Sequence, residues 1–499
     1  ATAQPPATAS AALARPARSV APIEWSAPRD LRGCAAAGPQ VAFPSEGPFD
    51  PTGPGAIAWV RDERACAHGE AASAPELLVS PLRLGARVAA AYDQPLSYAA
   101  APAVSVVGAS FGRVAVALAP ANASEVQARP AVLEGRAGGR LVSALHGGSG
   151  LAIARAYLGD VAVATVKGRA ISVRVQRWFG RGFEGARLIS IPAGAVSALT
   201  VTLDYRSDVL VAWQQNGFIY AHMLRASGVP QPTQRVGASA PDPQLRALVS
   251  DNDRGMLAWS STEGSGPRAR TRIELAFSKQ GVRFLAPTPL ASFTDPLASG
   301  RTPGSLQLVR LSTENVLLAW TVREGGRYVV RAAPAVFAAT RRTARLSDPA
   351  GDAVLADLAT GPAAEAVALW RVRGDGEATS PQEQLWAARV MLARGDRPIA
   401  SPARMVAPAG PVAQASVGVD PASDRPLAAW RSAGASSRVQ FAAGVGAGGY
   451  RPRAAGPVAP SRGGRTHWLR IVLAAIALAL VAIAAVVLRA RSGRRAARS

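Results

Sequence analysis

Lysine is almost missing from this chain: only Lys167 and Lys279 occur in 499 residues, although the net charge is +23. The remaining basic residues are arginines, scattered rather than gathered into an arm, so no specific nucleic-acid partner is indicated. An arginine bias beside heavy alanine, glycine and proline usage reads as drift in a GC-rich genome. Histidine occurs four times, as His68, His146, His222 and His467, with none spaced as metal ligands. There is no HExxH and no GxxxxGK[ST] phosphate loop, so no metal and no cofactor is expected. The run His146-Gly147-Gly148-Ser149-Gly150 lacks the glycine two residues after serine that a nucleophile elbow needs, because Leu151 stands there; it reads as a glycine-rich turn. Helical periodicity is also scarce. No dozen-residue amphipathic stretch stands out, which excludes an α or α/β fold and leaves an all-β one.

Cysteine is limited to Cys34 and Cys66. Two thiolates cannot fill a tetrahedral metal site, so they are expected to form one disulfide, closing a loop of about 30 residues and contributing roughly 3–4 kcal/mol. Such a bond needs an oxidising compartment.

Ile471 to Leu488 reads IVLAAIALALVAIAAVVL, eighteen residues without a polar side chain. As a helix it would be about 27 Å long, close to the hydrocarbon thickness of a bilayer. Trp468 and Arg470 stand before it and Arg489 and Arg491 after it, as interfacial anchors do. A single C-terminal transmembrane helix in a lipid bilayer is therefore expected over 468–489. The basic tail 490–499 is expected in the cytoplasm, and the N-terminal mass outside, in agreement with the disulfide. The start at Ala1 is taken as a mature end left by a removed signal peptide.

The rest divides by composition. Residues 1–30 are Ala/Pro-rich and read as a flexible leader; 31–103 form a disulfide-containing segment or first blade; 444–467 are a Gly/Pro/Arg stem. Between them, 104–443 carry an internal repeat. A short strand and a turn lead into small apolar residues ending in Ala-Trp, as in LVAW at Trp213, MLAW at Trp259 and LLAW at Trp320. An alternating strand follows. Aligned on that position, the copies centre on Leu118, Thr165, Trp213, Trp259, Trp320, Trp370 and Trp430, separated by 47, 48, 46, 61, 50 and 60 residues. That is the period of a four-stranded propeller blade. GPGAIAW, ending at Trp59, resembles one more copy, so seven blades are expected, or alternatively eight. The small apolar runs suit strands buried on both faces, and each tryptophan reads as core with an N–H that needs a partner.

The phrase VDPASDRPLAAWRSAG, from Val419, with its downstream Gly-Gly-Tyr, resembles the repeats of exported β-propeller proteins of high-GC actinobacteria. The resemblance covers about residues 100 to 450. It implies architecture and compartment and no particular activity.

One segment interleaves aromatics with cations: Arg174, Arg177, Trp178, Phe179 and Arg181, with Phe183 and Arg187 beyond them. That pattern can stack on sugars and hold anionic groups; the alternative is an outer strand with its aromatics packed on a neighbour. The expected function is a membrane-anchored binding or scaffold module of the cell envelope, with an envelope polymer or protein as partner. Two alternatives stand beside it: an envelope polysaccharide hydrolase or lyase, and an assembly subunit of a membrane complex. Catalysis would need two or three carboxylates, or a Tyr/Arg/Glu set, converging at the channel mouth; Asp204, Asp251, Glu263 and Glu324 placed apart on outer turns would argue against it.

Overall fold

The computed structural model describes residues 20–445, except 44–54, 63–73, 84–86, 89–90, 99, 109–112, 121–129, 137–138, 157–158, 178–179, 181, 251–253, 280–282, 296–304, 313–314, 336–341, 349–350, 362–363, 374–382, 394–396, 411 and 433–436. Ile471 to Leu488 lies outside these residues; among those described, no helix is long and apolar enough to cross a membrane.

The described residues form seven antiparallel sheets and, apart from one 3-10 turn at Gly266–Arg268, no helix. In chain order, sheets 2 to 7 cover 103–146, 149–190, 196–238, 244–294, 306–345 and 352–410, each with four or five strands. Sheet 1 has nine strands and joins the two ends of the chain. Its N-terminal half runs from Ala35 to Pro95, and its C-terminal half contains Val412–Asp420, Arg425–Ser432 and Arg438–Val445.

The strand Arg29–Ala42 is the seam. Its first part pairs with Arg438–Val445, through Arg29↔Phe441 and Cys34↔Arg438; its second part pairs with Gly55–Arg61, through Ala35↔Arg61 and Val41↔Ile57. Residues 20–30, expected in a leader, therefore belong to the fold: Glu24–Trp25 pairs with Gly444 and Val445, and Ile23 is buried against Ala428 and Trp430. The prolines and missing periodicity there concealed a pairing with residues about 400 positions away. Cys34 is disulfide-bonded, and Cys66 lies outside the described residues.

The first strands of the sheets touch in a closed circuit. Arg29–Ala42 meets Ala103–Gly108, followed in turn by Ser149–Arg155, Val196–Leu203, Gln244–Val249, Leu306–Arg310, Asp352–Thr360 and Val412–Asp420, which returns to Arg29–Ala42. This is the propeller arrangement. Side chains tie neighbouring first strands together: Arg246 Nε donates to Gln307 Oε1 at 3.0 Å, and Asp357 Oδ2 accepts from Ser416 Oγ at 2.8 Å and Val417 N at 2.9 Å. Ser416 Oγ in turn accepts from Val41 N at 3.1 Å.

The core lies between sheets rather than within one. Alternate residues of each second strand face opposite neighbours, because side chains in a strand alternate. Along Val209–Gln215, Val211 and Trp213 pack on Ala162, Ala164 and Val173 of sheet 3, while Leu210 and Ala212 pack on sheet 5. The other tryptophans obey the same rule. Trp259 faces sheet 4, Trp320 sheet 5, Trp370 sheet 6, Trp430 sheet 7, and Trp59 the C-terminal half of sheet 1. Each tryptophan fills the interface with the preceding unit. Their N–H groups follow two patterns: Trp213 donates to Gln215 at 3.4 Å and Trp430 to Gln440 at 3.0 Å, whereas Trp59 and Trp320 have no acceptor among the described residues. For those two, apolar burial outweighs the lost hydrogen bond.

Candidate ligand grooves

Two copies of the repeat lack the tryptophan, and a groove lies beside each. Thr165 takes its place in Val161–Lys167 of sheet 3, and Leu118 in Arg113–Ala119 of sheet 2. Among the described residues, the cluster between sheets 2 and 3 contains five buried apolar residues, Ala115, Ala117, Val132, Val161 and Val163, where every other cluster has at least ten. Threonine cannot reach the facing sheet as an indole does. A groove of about 240 Å³ remains over Thr165, and one of about 360 Å³ beside Leu118.

The register explains the lining of the first groove. Leu151, Thr165, Ser172 and Leu188 stand on one cross-strand rung, so their side chains share a face. Two residues along the strands, on the same face, Arg174 pairs with Val163; in the other direction, Lys167 pairs with Ala170. The floor carries the hydroxyls of Thr165 and Ser172 with the methyls of Val163, and Lys167 and Arg174 flank it. Leu188, at the outer end of that rung, is 67% exposed. Leu145 and His146, from the outer strand of sheet 2, make the opposite wall. Lys167 enters a two-residue hairpin whose first central residue, Gly168, has φ +59°, a conformation that favours glycine.

His146 stands between the grooves and lines both. Its ring is hydrogen-bonded to Ser143 Oγ. The HGGSG run is the turn expected from its glycines: Gly147 and Gly148 have φ +96° and +91°, and a Cβ on Gly148 would lie 2.6 Å from the carbonyl oxygen of Val166. That close approach sets the end of the outer strand, and His146 with it, against the neighbouring sheet. Sequence reasoning passed over His146, Thr165, Lys167 and Ser172; the missing tryptophan was the available signal.

Of the residues expected at a site, Arg174 lines the groove. Arg177 does not: it is ion-paired with Glu184 at 2.9 Å and Asp160 at 3.5 Å, so its charge is engaged within the fold. Phe183 packs against the sheet 2–sheet 3 cluster, the structural alternative for that segment. Trp178, Phe179 and Arg181 lie outside the described residues.

The groove carries an electrostatic bias. Neither lining contains a carboxylate among the described residues. Residues 104–190 hold eleven basic and four acidic side chains, a net +7, nearly a third of the whole chain's excess in less than a fifth of its length. The nearby acid Glu134 is buried, paired with Arg113 at 3.1 Å and accepting from Gln176 Nε2 at 3.3 Å. Burial pushes its carboxyl above the ordinary glutamate range, against the opposing pull of Arg113 and Gln176. The acids weighed for catalysis do not converge. Asp204 caps the turn before Val209–Gln215, with Oδ1 accepting from Arg206 N and Asp208 N at 2.9 Å each, whereas Glu263 and Glu324 end the second strands at the opposite hairpins. Asp251 lies outside the described residues, and no group of metal-ligating side chains occurs among those described.

No family model matches this chain, and no curated protein matches it. Among solved structures, the chain is similar to the Dos1 propeller, at 10% identity and a TM-score of 0.46, covering 84% of this chain and 95% of that one. It is also similar to the GH93 α-L-arabinofuranosidase of Fusarium graminearum, at 11% identity, a TM-score of 0.34 and coverage of 68% and 91%. A third is the six-bladed fungal Aleuria aurantia lectin, at 12% identity, a TM-score of 0.32 and coverage of 61% and 96%.

Proposed function

We propose that this chain is an eight-bladed β-propeller held on the outer side of the cell membrane by Ile471 to Leu488, where it binds a small anionic unit of an envelope polymer. The count of eight follows from dividing sheet 1 at Arg29–Ala42 into a first and a last blade, each completed by one part of that strand. A bond between Cys34 and Cys66 would lock the seam, which accords with an extracytoplasmic site.

The observation that carries the binding role is the groove over Thr165. Six positions equivalent to Thr165 hold a buried tryptophan that fills the interface. Here a hydroxyl stands instead, beside Ser172 and between Lys167 and Arg174. At about 240 Å³ the groove is smaller than the ~300–1,000 Å³ of a site for a drug-sized ligand, and so suits one sugar-sized unit. Two cations without a carboxylate favour a carboxylate- or phosphate-bearing one. Hydrolysis of a glycan would call for two carboxylates about 5–10 Å apart, and the groove's lining offers none among the described residues.

The test is calorimetric titration of the full chain in detergent with acidic and neutral oligosaccharides of equal length. Acidic oligosaccharides should bind, with affinity falling as salt rises, and Arg174→Ala should weaken them at least tenfold. Equal binding of neutral and acidic probes would overturn the assignment. Membrane attachment is tested separately, by comparing sedimentation with membranes of the full chain and of a chain ending at residue 447.

A further inference from the structure

Resting on that reading of the Thr165 groove, we infer that the groove beside Leu118 is the adjoining subsite. The two together then take a linear glycan in which an acidic residue neighbours an uncharged one. The two grooves are lined by Thr165 and Leu118, the residues that stand in the tryptophan position of two consecutive copies of the repeat. Leu118 pairs with Ala131, and Ala131 with His146, so the rung that floors the second groove ends at the residue that walls the first. One residue, His146, thus lines both grooves. In this inference a bound chain passes from the first groove to the second around His146, the residue their linings share.

The linings differ in a way that defines the order of sugars. Lys167 and Arg174 flank the first. The second is lined by Leu96, Tyr98, Leu118 and Leu133 with Gln94, and apart from His146 its lining has, among the described residues, no ionisable group that could be charged near neutral pH. Gln94 Oε1 already accepts from Leu141 N at 3.1 Å, so the group it offers a ligand is its amide N–H. An apolar wall with an aromatic edge and an amide donor suits the C–H face and a carbonyl oxygen of an uncharged, N-acylated sugar. It gives nothing to a second carboxylate, whose desolvation there would go uncompensated. At about 360 Å³ it is also the roomier of the two, as an N-acyl substituent requires.

The probes are a hyaluronan tetrasaccharide, which alternates glucuronate with N-acetylglucosamine, a galacturonate tetramer, in which every residue is acidic, and chitotetraose, in which none is. Titrated into the full chain in detergent, the hyaluronan fragment should bind at least tenfold more tightly than the galacturonate tetramer, and chitotetraose more weakly than either. Leu118→Trp restores the residue that the other copies carry. It should bring hyaluronan affinity down to that of the galacturonate tetramer and leave the latter unchanged. Thr165→Trp should abolish both. Should Leu118→Trp melt early, Gln94→Ala serves in its place, with a three- to tenfold loss for hyaluronan alone. If Thr165→Trp abolishes binding while both second-groove variants leave the hyaluronan preference intact, or if no such preference exists, the paired-subsite inference is overturned and the single groove stands. If no acidic probe binds, or Thr165→Trp changes nothing, the function proposed for the first groove fails as well.

Discussion

Exchanging the residues at one repeat position should change stability in a strongly asymmetric way. Trp213 is fully buried between sheets 3 and 4, stacked on Tyr220 at 5.6 Å. A large aromatic buries about 150–250 Å², which at ~25 cal/mol per Å² is roughly 4–6 kcal/mol of gross transfer free energy. Residual compactness of the unfolded chain lowers this to about 3–5 kcal/mol, the range measured for truncating buried aromatics. Trp213→Thr should therefore cost about 3–5 kcal/mol and open a groove like the one over Thr165. The reverse change, Thr165→Trp, enters a space of about 240 Å³ that already exists, against Ala115, Ala117 and Val132. Gained burial and local overpacking nearly offset there, so stability should change by no more than ~2 kcal/mol in either direction. Urea unfolding followed by tryptophan fluorescence and circular dichroism gives both values. If Trp213→Thr costs less than ~1 kcal/mol, or Thr165→Trp costs as much as Trp213→Thr, this position does not control the filling of the interface, and the origin assigned to the grooves is wrong.

Cys34→Ser should lower stability by about 2–4 kcal/mol, because Cys34 sits where the seam strand changes partners; reductant should lower the unfolding midpoint of the parent chain and not that of the variant, and a variant as stable as the parent would refute this. Arg225→Ala leaves Asp208, 2.6 Å from its guanidinium and 8% exposed, without its ion-pair partner, and should cost about 3–5 kcal/mol by urea melt. Glu134 has a folded pKa raised above its unfolded value, so its stabilising share is complete below the ordinary glutamate range and is lost as pH rises through the folded pKa. Glu134→Gln should therefore gain on the parent between pH 4 and pH 7 in paired unfolding midpoints; a shift of opposite sign would show that the Arg113 pair outweighs burial.

Several features were legible from residue order because they are local. The runs VLLAW and VLVAW are wholly buried within their second strands, as segments covered on both faces and made of apolar residues. Asn216-Gly217 and Gly325-Gly326 make the hairpins that their left-handed preference implies, with φ of +50°, +79°, +57° and +87°. The regular spacing of tryptophans announced a propeller, and of the residues named from the sequence Arg174 was placed by the fold in the lining of a groove. Arg177 was not, because its partners Asp160 and Glu184 meet it only when Val161–Lys167 and Ala170–Gln176 are folded together.

By itself the sequence determined the fold class and the position of every blade-centre strand, since both depend on spacing along the chain and on which side chains tolerate burial. Only the tertiary structure decided how the ends join, because Arg29–Ala42 finds its partners by closing the circuit, and no local pattern records a pairing across about 400 residues. It alone decided the grooves too. A missing tryptophan is visible in a line of letters, but whether neighbouring sheets collapse onto the smaller residue or leave space depends on what faces it. Here small alanine and valine side chains of sheet 2 face sheet 3, and a groove remains over Thr165.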